Sequence, residues 1–314
     1  MAVVAAAACV VLLLLTGNGC DAARPVTTSD KVKVHKLSDE TSSFIQLLGQ
    51  MSPLDTESGP VTNYFTNHQT PRESDQAYYG VIVTMDVYGL HLSDEQSSVS
   101  SVWLRDEGDG ALSSHNAIEI GWEVSPRLYG DSLTHLGAYW TTDGFQKTRC
   151  HNTNCTVGFQ PANGAPIGLG DVIQTLSQPK GLKQNITLKV IKEDGIMGDW
   201  MVYFGLNQDD LALIGRFPRT IFTGGMADRA SGIRFGGYVS TRTTDLAPME
   251  SGYLPTTDVM VAASISNIQF IDRNGQALVV TQDLPTYMSD PNIYAVTPIV
   301  DGRFFYGGPL QSSV

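Results

Sequence analysis

Ala117-Ile118-Glu119-Ile120-Gly121-Trp122-Glu123-Val124 alternates large apolar residues with acidic or minimal ones at every step. A period of two is the side-chain period of an extended strand. As a strand, the segment places Ile118, Ile120, Trp122 and Val124 on one face, and Glu119, Gly121 and Glu123 on the other. The alternation alone makes Glu119 and Glu123 solvated carboxylates on the polar face of a half-buried strand.

The same texture runs outward from this segment. From Tyr78 onward, short apolar or alternating runs are separated by Gly, Pro, Asn and Asp, which marks strands in antiparallel sheets. Expected strands are Tyr79 to Val87, Val99 to Arg105, Ala117 to Val124, Leu136 to Thr141, Ile186 to Ile191, Trp200 to Phe204, Ile233 to Val239, Val261 to Phe270 and Arg303 to Tyr306. Helical periodicity nearly vanishes after Met51. With 31 glycines and recurring turn signals but no fixed repeat, the composition predicts a two-sheet sandwich or a barrel and disfavours a propeller.

The beginning of the chain reads differently. Ala2 to Leu15 is apolar and is followed by small residues near Ala22, the pattern of an export signal over residues 1–22. The run is shorter than the roughly 20 residues of a membrane span. Residues 23–72 are polar and punctuated by Pro25, Pro53, Pro60 and Pro71, which suits a leader or a disordered tail with one amphipathic stretch at Ser42 to Met51. Residues 73–314 then form the main domain. The mature chain is expected outside the cell and free of membrane.

Beyond the signal, only Cys150 and Cys155 remain, and in an oxidising compartment a disulfide is favoured over free thiols or a metal site. Asn154-Cys155-Thr156 and Asn185-Ile186-Thr187 are glycosylation sequons. A net charge of −12 without a Lys/Arg cluster argues against nucleic acid. No metal-ligand spacing stands out, and neither a cofactor nor an oligomer is expected.

Longer motifs carry a family resemblance. Asn116 to Trp122, continuing through Val124-Ser125-Pro126 to Leu128-Tyr129-Gly130-Asp131, is similar to the central motif of the neprosin domain. Ser98 to Leu104, Tyr139-Trp140-Thr141-Thr142-Asp143-Gly144, Gly198-Asp199-Trp200, Ile214 to Pro218, Phe235-Gly236-Gly237 and Phe304 to Pro309 extend it from about Tyr78 to the end of the chain. The resemblance implies an all-β antiparallel sandwich of two curved sheets. It also implies an acid peptidase that works through two glutamates and cleaves after proline in a peptide or protein substrate. Glu119 falls on the first glutamate of that pair.

The second glutamate's place, after the paired glycines, is taken by Tyr238. A phenol donates a hydrogen bond but is no base in acid. Glu250, where the family pattern has a small glycine, is a candidate substitute acid. Trp122 and Tyr139 are candidate groove residues for packing against a proline ring. Two readings follow: a proline-directed endopeptidase, or a non-catalytic extracellular protein that holds a proline-rich peptide or wall polymer.

Overall fold

The computed structural model of the chain describes residues 60–71, 76–193, 197–255 and 261–309. The expected signal and the Ser42 to Met51 stretch lie outside the described residues. Every strand expected from the sequence is present, with its ends moved by a few residues.

Two antiparallel sheets carry the fold. The first runs in the order β14 (Thr286–Met288), β1 (Thr62–Gln69), β11 (Gly232–Thr241), β3 (Gln96–Asp106), β4 (Asn116–Val124), β5 (His135–Thr141) and β6 (Cys150–His151). The second runs β15 (Ala295–Val296), β16 (Phe304–Gly307), β12 (Ala263–Ile271), β2 (Gly80–Asp86), β8 (Asn185–Lys192), β9 (Trp200–Leu206), β10 (Ala212–Phe217) and β7 (Gln160–Pro161), with β13 (Ala277–Val279) paired to β12. Strand β1 lies within the segment read as leader, yet it pairs with β11 along its full length, from Thr62 opposite Thr241 to Gln69 opposite Arg234.

The alternation of β4 sorts its side chains as expected. Ile118, Ile120, Trp122 and Val124 enter the core between the sheets, joined by Val102 and Leu104 of β3 and Phe235 of β11. Facing them from the second sheet are Val83 and Met85 of β2, Leu188 and Val190 of β8, and Val202 of β9. Burying a side chain of this size contributes roughly 1.5 to 3 kcal/mol, so the apolar half of each alternation fixes which face turns inward. A change of register by one residue would invert the whole set.

The two sheets differ on their outer faces. In β8 only alternate residues are buried, the pattern of a sheet with one wet side. In β3, β4 and β11 nearly every residue is buried. A second apolar cluster covers the outer face of the first sheet: Phe65, Val99, Trp103, Ala117, Tyr139, Phe145 and Tyr238, with Leu112 and Tyr287 at its margin. Glu119 and Glu123 are therefore each 1 % exposed, and the expectation that they are solvated is overturned. The covering residues come from distant strands and a loop, which the alternation of β4 cannot report. Among the described residues no helix is long and apolar enough to cross a membrane.

Candidate active site

Register on the outer face of the first sheet builds the site from three rows. One row runs Arg234, Trp103, Glu119, Tyr139, His151 across β11, β3, β4, β5 and β6. Four residues along the strands, another runs Phe65, Tyr238, Val99, Glu123, His135. Between them lies Gly236, Ser101, Gly121, Gly137. That middle row carries almost no side-chain volume, so the long side chains on either side of it fold across and meet.

Two glycines make this floor necessary rather than incidental. A Cβ at 121 would stand 1.8 Å from the Ser100 carbonyl oxygen, against backbone that cannot yield. A Cβ at 137 would stand 2.3 Å from Glu123 Oε1, because the Glu123 carboxylate lies directly over Gly137.

Over the floor, Glu119 and Tyr238 come together, each interacting with the other at 1 % and 3 % exposure. Neither Glu119 oxygen makes a hydrogen bond of good geometry, although the side chains of Ser101, Tyr238 and Trp103 stand close by. Trp103 Nε1 spends its proton on Ser101 Oγ at 3.1 Å. Burial pushes the Glu119 carboxyl up to about 8, tempered by Ser101 and reinforced by the charge of Glu123. Glu119 is accordingly protonated in acidic and neutral solution. Tyr238, buried beside two carboxyl groups, is driven well above the ordinary phenol range and stays a neutral donor.

Glu123 behaves in the opposite way. Burial alone would raise it, but the neighbouring His151 and the phenols of Tyr129 and Tyr139 outweigh burial and lower it below the ordinary glutamate value. His151 Nε2 lies 2.7 Å from Oε1, Tyr129 OH donates to Oε1 at 2.7 Å, and Tyr139 OH donates to Oε2 at 3.2 Å. Tyr129 arrives on α1 (Pro126–Tyr129), a single turn that opens with Pro126, where the missing N–H leaves nothing unsatisfied. A narrow crevice, closed to a water-sized molecule in this conformation, lies against Ser101, Glu119, Glu123 and Tyr139. Two carboxyls on one strand face, one held neutral and one held ionised, form the electrostatic arrangement of an acid and a base.

The disulfide Cys150–Cys155 is formed, with Cα atoms 5.6 Å apart. It closes the turn that carries His151 and Asn152 to the site. Asn152 bridges two elements there: its Oδ1 accepts from Ala138 N at 2.9 Å and its Nδ2 donates to Tyr129 OH at 3.0 Å. Asn154, in the same turn, is exposed, and Asn185 at the start of β8 is half-buried.

Two expectations are corrected. Trp122 borders the crevice, but its ring does not face it: the side chain is fully buried between the sheets, on the face opposite Glu119, and its Nε1 donates to Asp86 O at 2.9 Å. Glu250 does not substitute at the Glu119 site. It is buried among Tyr306, Ser100 and Asp86, and Ser100 points into the core face of β3 rather than the outer face. Tyr139, by contrast, stands on the Glu119 face. Sequence reasoning missed Glu123, His151 and Tyr129 as site groups. The one signal available was parity, since Glu123 shares the face of Glu119. Among the described residues no group of three or more His, Cys, Asp or Glu could hold a metal ion.

Comparison with solved structures finds similarity to scytalido-glutamic peptidase with a peptide-based transition state analog, at 9 % identity, 79 % of this chain and 99 % of that one, with a TM-score of 0.39. SCP-B, a member of the eqolisin family of peptidases in complex with a tripeptide Ala-Ile-His, matches at 8 % identity over 79 % and 98 %, with a TM-score of 0.39. Alginate lyase vAL-1 from Chlorella virus matches at 9 % identity over 60 % and 87 %, with a TM-score of 0.25. The neprosin family model matches residues 94–309, which span β4, Tyr238 and the disulfide, and the chain therefore belongs to the neprosin family.

Proposed function

We propose that the chain is an extracellular acid peptide hydrolase of the glutamic type, directed to proline-containing peptides, with Glu119 as the proton donor and Tyr238 as a second donor to the substrate carbonyl. The observation that carries this reading is the meeting of Glu119 and Tyr238 in a buried, aromatic-lined site where the Glu119 carboxyl keeps its proton up to about 8. A preorganised neutral donor aimed at a carbonyl oxygen stabilises the charge that develops there on attack. Phe65, Trp103, Tyr139 and Phe145 form the buried aromatic cluster around that site, and aromatic rings are the side chains that pack on a proline ring. Export is supported by the formed disulfide and by the exposed Asn154 sequon beside it.

A second reading draws on Tyr238 itself. With a phenol where the family's second glutamate belongs, the same site would hold a proline-rich peptide or wall polymer without cutting it. Secreted protein incubated with a proline-containing reporter peptide between about pH 3 and 7 separates the two readings by mass spectrometry. Cleavage that disappears in Glu119→Gln is the expected result. Saturable binding with no cleavage at any pH refutes the hydrolase and establishes the binding protein.

A further inference from the structure

We propose that Glu123 is the base of this site, replacing the carboxylate lost at position 238, and that His151 is the positioning residue that holds it. This rests on the hydrolase reading above and names the residue that reading lacks.

The geometry singles out Glu123. It shares the outer face of β4 with Glu119, and only Gly121 stands between them on that face. Its carboxylate is swung over Gly137, toward the row that contains Glu119 and Tyr139. Both carboxyls border the same crevice. The other candidates fail on placement: Glu250 is on the core side of the sheet, and Tyr238 is a phenol. The titratable groups facing Glu123 are Glu119 on its own strand, His135 and Tyr139 from β5, His151 from β6, Tyr129 from α1 and Tyr238 from β11. Of these, His135 is occupied elsewhere, with Nδ1 at 2.7 Å from Gly170 O and Nε2 at 3.0 Å from Asp131 Oδ1. His151 is therefore the basic side chain that reaches the Glu123 carboxylate, and it stabilises the ionised form.

The reaction balances with water as the sole co-reactant. Glu123 takes a proton from water as the water oxygen bonds to the scissile carbonyl carbon, and Glu119 gives its proton to the carbonyl oxygen, leaving a neutral tetrahedral diol. In the collapse, the proton on Glu123 passes to the amide nitrogen as the C–N bond breaks, and one diol hydroxyl returns a proton to Glu119. A carboxylic acid and an amine leave, and both glutamates regain their starting states.

The test uses the same reporter peptide and the secreted chain. Glu123→Gln is expected to lower kcat at least about a hundredfold, the usual scale for a lost general base. His151→Ala is expected to go on cleaving while the acid limb of its kcat/KM profile moves up in pH, because the carboxylate has lost the partner that favours its ionised form. Tyr238→Glu is expected to bring no gain in rate. If Glu123→Gln cleaves like wild type while Glu119→Gln is dead, or if Tyr238→Glu gains about a hundredfold, the inference is overturned and the hydrolase stands. If wild type cleaves at no pH, both fall. Should Glu123→Gln fail to fold by circular dichroism, an unmoved acid limb in His151→Ala overturns the assignment by itself.

Discussion

Glu250 gives the sharpest test of how this interior treats acid groups. It is fully buried, its backbone sits at φ 60°, and neither carboxyl oxygen has a hydrogen-bond partner of good geometry. Burial pushes its carboxyl up to about 8 from an ordinary 4.5, with Tyr306 and Ser100 only moderating the effect. The sign of the consequence is fixed by linkage. The folded chain keeps a proton on Glu250 that the unfolded chain has released, so between pH 4.5 and 8 the folded state holds more protons and loses stability as pH rises. Below that window the group is neutral in both states and the penalty is absent.

At pH 7 the penalty is about 3 kcal/mol, from roughly 2.5 pH units of unequal protonation at about 1.4 kcal/mol per unit. Glu250→Gln keeps the shape and the backbone conformation and removes the titration. In urea unfolding it should match wild type near pH 4 and exceed it by about 3 kcal/mol at pH 7, the gap widening by about 1.4 kcal/mol per pH unit. Glu119 titrates in the same direction in both proteins, so its contribution cancels in the difference. A gap that stays within about 0.5 kcal/mol across that range would refute the reasoning, since additive and pH-independent effects alone would then account for the substitution.

Gly137→Ala should push the Glu123 carboxylate off its His151, Tyr129 and Tyr139 partners, lowering the melting temperature and cutting peptide cleavage by about tenfold or more, read from kcat and thermal unfolding together. Replacing Cys150 and Cys155 by Ser frees the turn that carries His151, so the acid limb of the pH profile should move upward as it does in His151→Ala; an unchanged limb would show that the strand pairing of His151 with Tyr139 suffices. Trp122→Phe removes the donor to Asp86 O and leaves a void between the sheets, so it should destabilise by about 2 kcal/mol with KM for the reporter peptide unchanged. A raised KM would return Trp122 to the groove.

Much of this architecture is legible in the chain, and the limits of legibility are physical. Period-two alternation in β4 reports which side chains share a face, because strand geometry alone sets that. It does not report what covers the face. Phe65 is supplied by a strand inside the presumed leader, and Phe145 by the loop after β5; neither leaves a trace in the pattern of β4. Glu250 misled for a related reason. It lies near Tyr238 in sequence, but Tyr238 is on the outer face of β11, while the chain beyond that strand returns to the side of the sheet where Ser100 and Tyr306 meet. Proximity in sequence carries no information on which side of a sheet a loop will pass.

The two glutamates of β4 show what does decide the chemistry. They sit four residues apart, on the same strand and face, at equal exposure, so desolvation acts on both in the same direction. Their titration nevertheless diverges: His151, with the phenols of Tyr129 and Tyr139, outweighs burial at Glu123, whereas Ser101, Tyr238 and Trp103 only temper burial at Glu119. A third buried carboxylate at 238 would face both and raise each of them, since neighbouring negative charges disfavour one another. A phenol there leaves one neutral and one ionised acid on the floor of the site. The substitution that looks like the loss of half a dyad is thus compatible with a complete one, displaced by two strands and assembled on β4 alone.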